Sequence, residues 1–162
     1  MLLKVAEELL LNAPVEEVWK LLRDTPRLAG LLPGVESVAL LNEAEQQAYT
    51  ATVREKIGPF KITMNLEVRI TESIEPSILK ATLKGVDSVG LNRMTGWLQV
   101  SLIPALPRTQ LHFESSIEIL GKLATLGAVP IRRRTTQVFA EFAKKIQGEF
   151  ATGMGSASSS SD

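Results

Sequence analysis

The sequence predicts an α+β domain: a curved antiparallel sheet of seven strands wrapped around one long C-terminal helix, with two short helices after the first strand. Three observations predict it. Short segments of alternating polarity follow one another from Val35 to Ile119, with Gly and Pro turn signals between them. A single long amphipathic helix follows, from Lys122 to Phe150. Its Thr135, Val138, Phe139, Phe142, Ile146 and Phe150 recur at helical spacing and form one face, which holds three of the chain's five phenylalanines. A helix this apolar on one side must lie on something, and the strands before it offer one sheet and no second helical layer. A sheet closed by one helix often encloses a cavity.

The elements follow in order. Leu2 to Leu11 reads as a strand of loose alternation. Asn12-Ala13-Pro14 opens a helix, since proline near the first helical position loses no useful donor and Glu16 and Glu17 suit the positive helix start. Val15, Val18, Trp19 and Leu22 share its face. Asp24-Thr25-Pro26 stops this helix and caps a second short one, Arg27 to Leu31. Leu32-Pro33-Gly34-Val35 is a turn into the sheet. Val35 to Asn42 and Gln47 to Ile57 are strands, the latter with Tyr49, Ala51 and Val53 on one face. After Gly58-Pro59, the apolar residues Phe60, Ile62, Met64, Leu66, Val68 and Ile70 alternate strictly with polar ones. Leu79, Ala81 and Leu83 continue the pattern to Gly85. Met94, Gly96, Leu98, Val100 and Leu102 share the next inward face. Leu111, Phe113, Ser115, Ile117 and Ile119 share the last. Gly121 ends the sheet, and Pro130 is expected to kink the long helix. Residues 1–150 read as a single domain. Residues 151–162, small and Ser-rich, read as a disordered tail.

Composition narrows the chemistry. The 162 residues are enough for one domain with a real core. Lys+Arg and Asp+Glu both number 18, so no net field steers the chain to nucleic acid or an acidic membrane. Cysteine is absent, which excludes disulfides, thiolate metal sites and a cysteine nucleophile, and one histidine excludes a multi-histidine metal site. Neither a metal nor a cofactor is expected. No phosphate loop or nucleophile elbow occurs. Glu7 and Glu8 interrupt the apolar start, no cleavage site follows, and no window holds the roughly 20 apolar residues of a membrane span. The expected location is cytoplasmic, with contact at the inner face of the membrane left open.

Four stretches carry a resemblance: Ala13-Pro14-Val15-Glu16-Glu17-Val18-Trp19; Asp24 through Leu32-Pro33-Gly34-Val35; Lys56-Ile57-Gly58-Pro59-Phe60; and Leu120-Gly121-Lys122-Leu123-Ala124-Thr125-Leu126-Gly127. Together with the element order they resemble the carbon monoxide dehydrogenase G-subunit family, within the START-like (SRPBCC, helix-grip) superfamily, over residues 1 to about 150. The first stretch is common to the superfamily, and the other three are more specific. The resemblance implies a helix-grip fold and a non-enzymatic accessory protein to molybdenum hydroxylases of the carbon monoxide dehydrogenase type, serving maturation, membrane recruitment or quinone delivery. The superfamily at large holds lipids, quinones, steroids and polyketides in its cavity. Some family members carry a longer C-terminal extension for membrane attachment, where this chain has its Ser-rich tail. The family supplies no catalytic residues to carry over.

The candidate ligand-binding residues are Met64, Leu66, Leu83, Met94, Leu98, Phe113 and Ile117 from the inward stripe, and Leu126, Val129 and Phe139 from the long helix. Pockets are concave and mostly apolar, and methionine adapts to varied guests. Gly127 and Ala128 are small enough to leave space beneath the helix. Alternation signals burial whether or not a void exists, so on spacing alone each of these residues reads first as plain core; the resemblance favours a cavity. Access would use the segment Leu28 to Gly34 or the loop Val86 to Arg93. Glu7 interrupts the inward side of the first strand, as a buried carboxylate, a bulge or an exposed end. His112 reads as a solvated surface residue, near Glu114 and Glu118 of its own strand. Arg132-Arg133-Arg134 reads as the wet side of the helix or as a site for phosphate or an acidic partner. Arg93 reads as a polar residue at the cavity rim, and Trp97 points outward. The expected function is binding of a quinone- or lipid-like molecule. The alternative is an interaction module with a vestigial cavity, using Trp97 and the arginines. An enzyme would need acid–base groups inside the cavity, where only Glu7 and Tyr49 present themselves.

Overall fold

Strict alternation in consecutive short strands leaves one topology open, a meander in which each strand pairs antiparallel with its neighbour. The computed structural model, which describes residues 1–42 and 45–160 and the side chains of residues 1–41 and 47–151, has this arrangement. The chain runs β1 (Leu2–Leu11), α1 (Val15–Arg23), α2 (Thr25–Ala29), β2 (Val35–Asn42), β3 (Glu45–Ile57), β4 (Phe60–Ile74), β5 (Ile78–Asp87), β6 (Asn92–Ala105), β7 (Arg108–Gly121), a 3-10 helix (Lys122–Leu126) and α3 (Ala128–Ser160). The sheet order is β1-β7-β6-β5-β4-β3-β2. The last strand therefore returns beside the first, and the curled sheet presents one concave face. The fold is the expected α+β helix-grip. The expected tail, 151–162, falls almost wholly on residues whose side chains lie outside the described set.

The second short helix is Thr25–Ala29, not Arg27–Leu31, and the start of the long helix also differs from expectation. Gly121 (φ 107°) and Gly127 (φ 79°) bracket Lys122–Leu126 as a separate 3-10 turn. The long helix therefore starts at Ala128, not Lys122. Pro130 then sits in its first turn, where the N–H groups have no helical partner, and no kink is required. Gly127 is a turn residue with open space around it, not a spacer beneath the helix.

The short helices close one end of the concave face. Val15, Val18, Trp19, Leu21 and Leu22 of α1 are buried. Trp19 Nε1 donates to Glu75 Oε1 at 3.1 Å, which fastens α1 to the β4–β5 turn. Asp24 caps α2 by accepting from the Arg27 N–H.

Most of the buried apolar residues fall into two separate groups. One joins Leu9, Leu11, Leu79, Val100, Leu102 and Leu111 of the sheet to α1 and to Ile146 of α3. The other joins Leu3, Ile62, Met64 and Ile119 to Leu123 and Ile131. The two lie at opposite ends of the concave face, and α3 contributes to both.

One polar pair organises the second end. Asp87 Oδ1 accepts from the N–H groups of Leu91 and Asn92, at 2.7 and 3.1 Å, and Oδ2 accepts from Asn92 Nδ2 at 2.8 Å. Asn92 Oδ1 accepts from the Leu123 N–H. The two buried side chains thus close the β5–β6 hairpin and hold the 3-10 turn against it. Burial alone would raise the Asp87 pKa, but the donors on Asn92, Leu91 and Gly90 outweigh it and hold the carboxyl below its ordinary value. A depressed folded-state pKa stabilises above the unfolded value and loses that contribution as pH falls through the folded one. Asp87→Asn is expected to cost about 1–3 kcal/mol at neutral pH. In denaturant titrations repeated from pH 7 downward, the gap from the unsubstituted protein should narrow below about pH 4, the ordinary carboxylate range.

Candidate functional site

Alternation along β1, β6 and β7 puts Val5, Leu98 and Ser115 in one cross-strand row, and Leu3, Gly96 and Ile117 in the next. Above these rows lies α3, whose Ile131, Thr135, Val138, Phe139 and Phe142 face the sheet. Between them is a cavity of about 400 Å³. It lies between the two buried groups and takes wall residues from both, Leu22, Val100 and Leu111 from one and Leu3, Ile119, Leu123 and Ile131 from the other. Phe113 and Phe139 stack across it at 6.2 Å between centroids, and Phe139 meets Phe142 at 6.3 Å.

The gap follows from where the helix is held. Ile146 is fully buried among the α1 group, so α3 seats tightly there. Toward its start Ile131 packs into the second group, and polar ties hold the helix to both flanks of the curl. Arg132 Nη1 donates to the Lys4 carbonyl on the edge strand β1 at 2.9 Å. Arg134 Nε and Nη2 donate to the Glu55 carboxylate on β3 at 2.7 and 3.2 Å. The Glu55 hydrogen bonds hold the Arg134 pKa above its usual range against burial. Two arginines two positions apart point to opposite sides of a helix, so the basic run is a clasp across the saddle. Arg133, between them, is exposed.

The wall is apolar apart from Ser115 and Thr135. The Ser115 hydroxyl donates to the Trp97 carbonyl at 2.8 Å, and the Thr135 hydroxyl donates to the Ile131 carbonyl at 2.9 Å. Both protons are thus committed to the protein, and what remains toward the cavity is acceptor capacity.

Of the ten candidate lining residues, five stand on the wall: Met94, Leu98, Phe113, Ile117 and Phe139. The other five do not. Val129 is 68% exposed, because the helix starts late and its first turn precedes the apolar face. Leu126 packs against the turn at Gly58. Met64 is buried in the second core group, and Met64, Leu66 and Met94 all crowd the space over Gly85, where a Cβ would lie within 3.0 Å of each. Leu83 is buried on the concave side off the wall. The sequence reading missed Leu22 and Ile57, and it took Leu28 and Leu32 for part of an access segment; all four stand on the wall. Their signal was the short apolar spacing around the Leu-Pro-Gly turn.

The remaining candidates are placed as follows. Leu28 and Leu32 lie on the wall and the Val86–Arg93 loop does not. Arg93 is exposed, lines a shallow depression of about 500 Å³ with Thr52, Asn65 and Lys84, and is not among the residues of the cavity wall. Glu7 is half-buried on the concave side opposite Phe113, and Tyr49 is half-buried opposite Val68. His112 pairs with Glu8 across the strand gap, Nδ1 to Oε1 at 3.2 Å, not with either glutamate of its own strand. Strand register sets that contact, and register is invisible to alternation alone. Trp97 is outward and 44% exposed. No helix among the described residues is long and apolar enough to cross a membrane.

The suspended and seated parts of α3 should respond differently to truncation. Ile146→Ala is expected to cost about 2–5 kcal/mol, since it opens a void in packed core. Val138→Ala borders space already empty and should cost under about 1 kcal/mol, measured by urea unfolding.

A family model for the G subunit of carbon monoxide dehydrogenase (CoxG) matches residues 8–151. Among solved structures, a conserved protein from Geobacillus kaustophilus is similar at 27% identity and TM-score 0.82, over 93% of this chain and 96% of that one. A START superfamily protein from Mycobacterium smegmatis shares the fold at 13% identity and TM-score 0.71, over 92% and 97%. The Zhui aromatase/cyclase from Streptomyces sp. R1128 shares it at 17% identity and TM-score 0.60, over 94% and 99%. No curated protein matches the sequence.

Proposed function

The chain belongs to the carbon monoxide dehydrogenase G-subunit (CoxG) family, and from that membership and the hollow beneath its long helix we propose that it binds a hydrophobic, quinone- or lipid-like molecule as an accessory protein to a molybdenum hydroxylase. The observation that carries this reading is the cavity of about 400 Å³ between α3 and the sheet. Its size is that of small-molecule sites, and its walls come from rigid strands and a clasped helix.

The driving force is transfer of apolar surface out of water. A guest that buries about 250 Å² of apolar surface gains on the order of 6 kcal/mol, less the cost of immobilisation. Shape and apolar contact do the selecting, because the two wall hydroxyls already donate to backbone carbonyls. That donor set supports binding without bond chemistry. The partially exposed segment at Leu28 and Leu32 is the element that moves to admit the guest, since it is attached to the wall by side-chain packing. In the accessory role the protein would carry its guest to or from the hydroxylase at the inner face of the membrane.

Organic extraction and native mass spectrometry of the purified protein are expected to find one bound apolar molecule per chain. Leu98→Trp, which fills the hollow, should abolish uptake of an added quinone or fatty acid while leaving the circular dichroism spectrum unchanged. Uptake undiminished in the folded variant would place the ligand elsewhere and reject this cavity as the site.

A further inference from the structure

The cavity has two ends and two flanks, and three of these four sides are closed by fixed structure. The ends are the two buried groups. On the β1 flank α3 is tied twice to the edge strand, by Arg132 to the Lys4 carbonyl at 2.9 Å and by Gln147 Nε2 to the Leu10 carbonyl at 3.3 Å. On the β3 flank, among the described residues, only Arg134 and Glu55 bond α3 to the sheet. The rest of that side is covered by the strap of residues 24–34, which runs through α2 to β2 and puts Leu28 and Leu32 on the wall.

The middle of this strap is held only by side-chain packing. Leu28, Leu31 and Leu32 are half-buried, although all three are apolar. The hydrogen bonds of residues 28–33 among the described residues stay within the strap. The Leu28 N–H donates to the Asp24 carbonyl, Gly30 to Pro26, Leu31 to Leu28 and Leu32 to Ala29. The fastenings to the rest of the molecule lie near its two ends. At one, the Gly34 carbonyl accepts from the Arg54 N–H at 2.8 Å, and Gly34 (φ 82°) sits so close to Glu55 that an added Cβ would lie 2.8 Å from its Oε1. At the other, Arg27 Nε and Nη2 donate to Glu149 Oε1 on α3, at 3.2 and 3.1 Å. The first fastening is backbone to backbone. The second is an exposed ion pair, for which water and salt compete.

We propose that residues 28–33 are the lid of the cavity, pivoting at Gly34, and that the Arg27–Glu149 pair is the latch that sets how fast a guest enters and leaves. The inference rests on the cavity reading above and specifies its control. Releasing the latch lets Leu28 and Leu32 swing away from α3 without breaking a hydrogen bond of the sheet or a tie between α3 and β1. The latch closes over the empty and the filled cavity alike, so it governs rate and not affinity.

Stopped-flow fluorescence with the neutral apolar probe N-phenyl-1-naphthylamine tests it, with uptake read on mixing and release read into excess phosphatidylcholine vesicles. Arg27→Gln and Glu149→Gln should each raise both rates about two- to fivefold and leave Kd and Tm unchanged. The swapped pair Arg27→Glu/Glu149→Arg should restore the slow rates. Salt at about 1 M should speed exchange in the unsubstituted protein and not in the single variants. The chain has no cysteine, so a cleavable bismaleimide bridging Arg27→Cys/Glu149→Cys ties the strap to α3 alone. Uptake should stop when the bridge is made and return when it is cleaved. Unchanged rates in the single variants, or uptake that continues through the bridged strap, overturn the lid and its latch while leaving the cavity reading standing. A weakened Kd with a lowered Tm makes the pair a structural tie and overturns the latch likewise. Failure of the probe to bind the unsubstituted protein overturns both.

Discussion

One helix has to cover the whole concave face of a curled seven-stranded sheet, and nearly everything else in the molecule follows from how it is held. A sheet of seven strands, with β1 added at one edge beside β7 and β2 at the other, is wider than one helix. The apolar face of α3 satisfies the sheet only where α1 fills the remaining space, around Ile146. Between that group and the one around Ile131 no such filler exists. There the chain relies on polar ties to the two flanks, Arg132 to the Lys4 carbonyl and Arg134 to Glu55. A helix held by its edges and not by its middle leaves space beneath it, and that space is the cavity.

The same constraint explains the division of the core. Packed groups at the two ends of the saddle act as abutments, and α3 rests on both. The second abutment needs an anchor, because a 3-10 turn of five residues has little packing of its own. Asp87 and Asn92 supply it by tying the Leu123 N–H to the β5–β6 hairpin. A rigid frame around a void is what a binding site for a flexible apolar guest requires, since the cost of opening the void is met by the frame before the guest arrives.

Alternation and helical spacing made the fold legible. The strict period of two through Phe60 to Ile70 named an inward face, and the period of Val138, Phe142 and Ile146 named the helix face laid against it. About a quarter of the cavity wall was legible by the same means, because Met94, Leu98, Phe113, Ile117 and Phe139 all face inward near the middle of the saddle. Periodicity reports which side a residue faces and not how far along the saddle it sits. Met64 and Leu66 face inward too, but over Gly85 they meet Met94 and no void remains. Val129 was misplaced because Gly127 delays the helix, and one positive-φ residue shifts every assignment before the first turn. The clasp was hidden for a different reason. Arg132 and Arg134 read as solvent-facing because charged residues usually are, and their partners lie 128 and 79 residues away in sequence. The Asp87–Asn92 anchor was hidden likewise, its hydrogen bonds depending on a hairpin register that no local pattern encodes.

The central claim is that a dry, apolar space persists beneath the suspended half of α3. Apolar cavities of this kind take up xenon. A crystal of the ligand-free protein pressurised with xenon should show the gas bound between Leu98, Phe113 and Phe139. Side chains interlocked through that region, with no xenon within the saddle, would contradict the account.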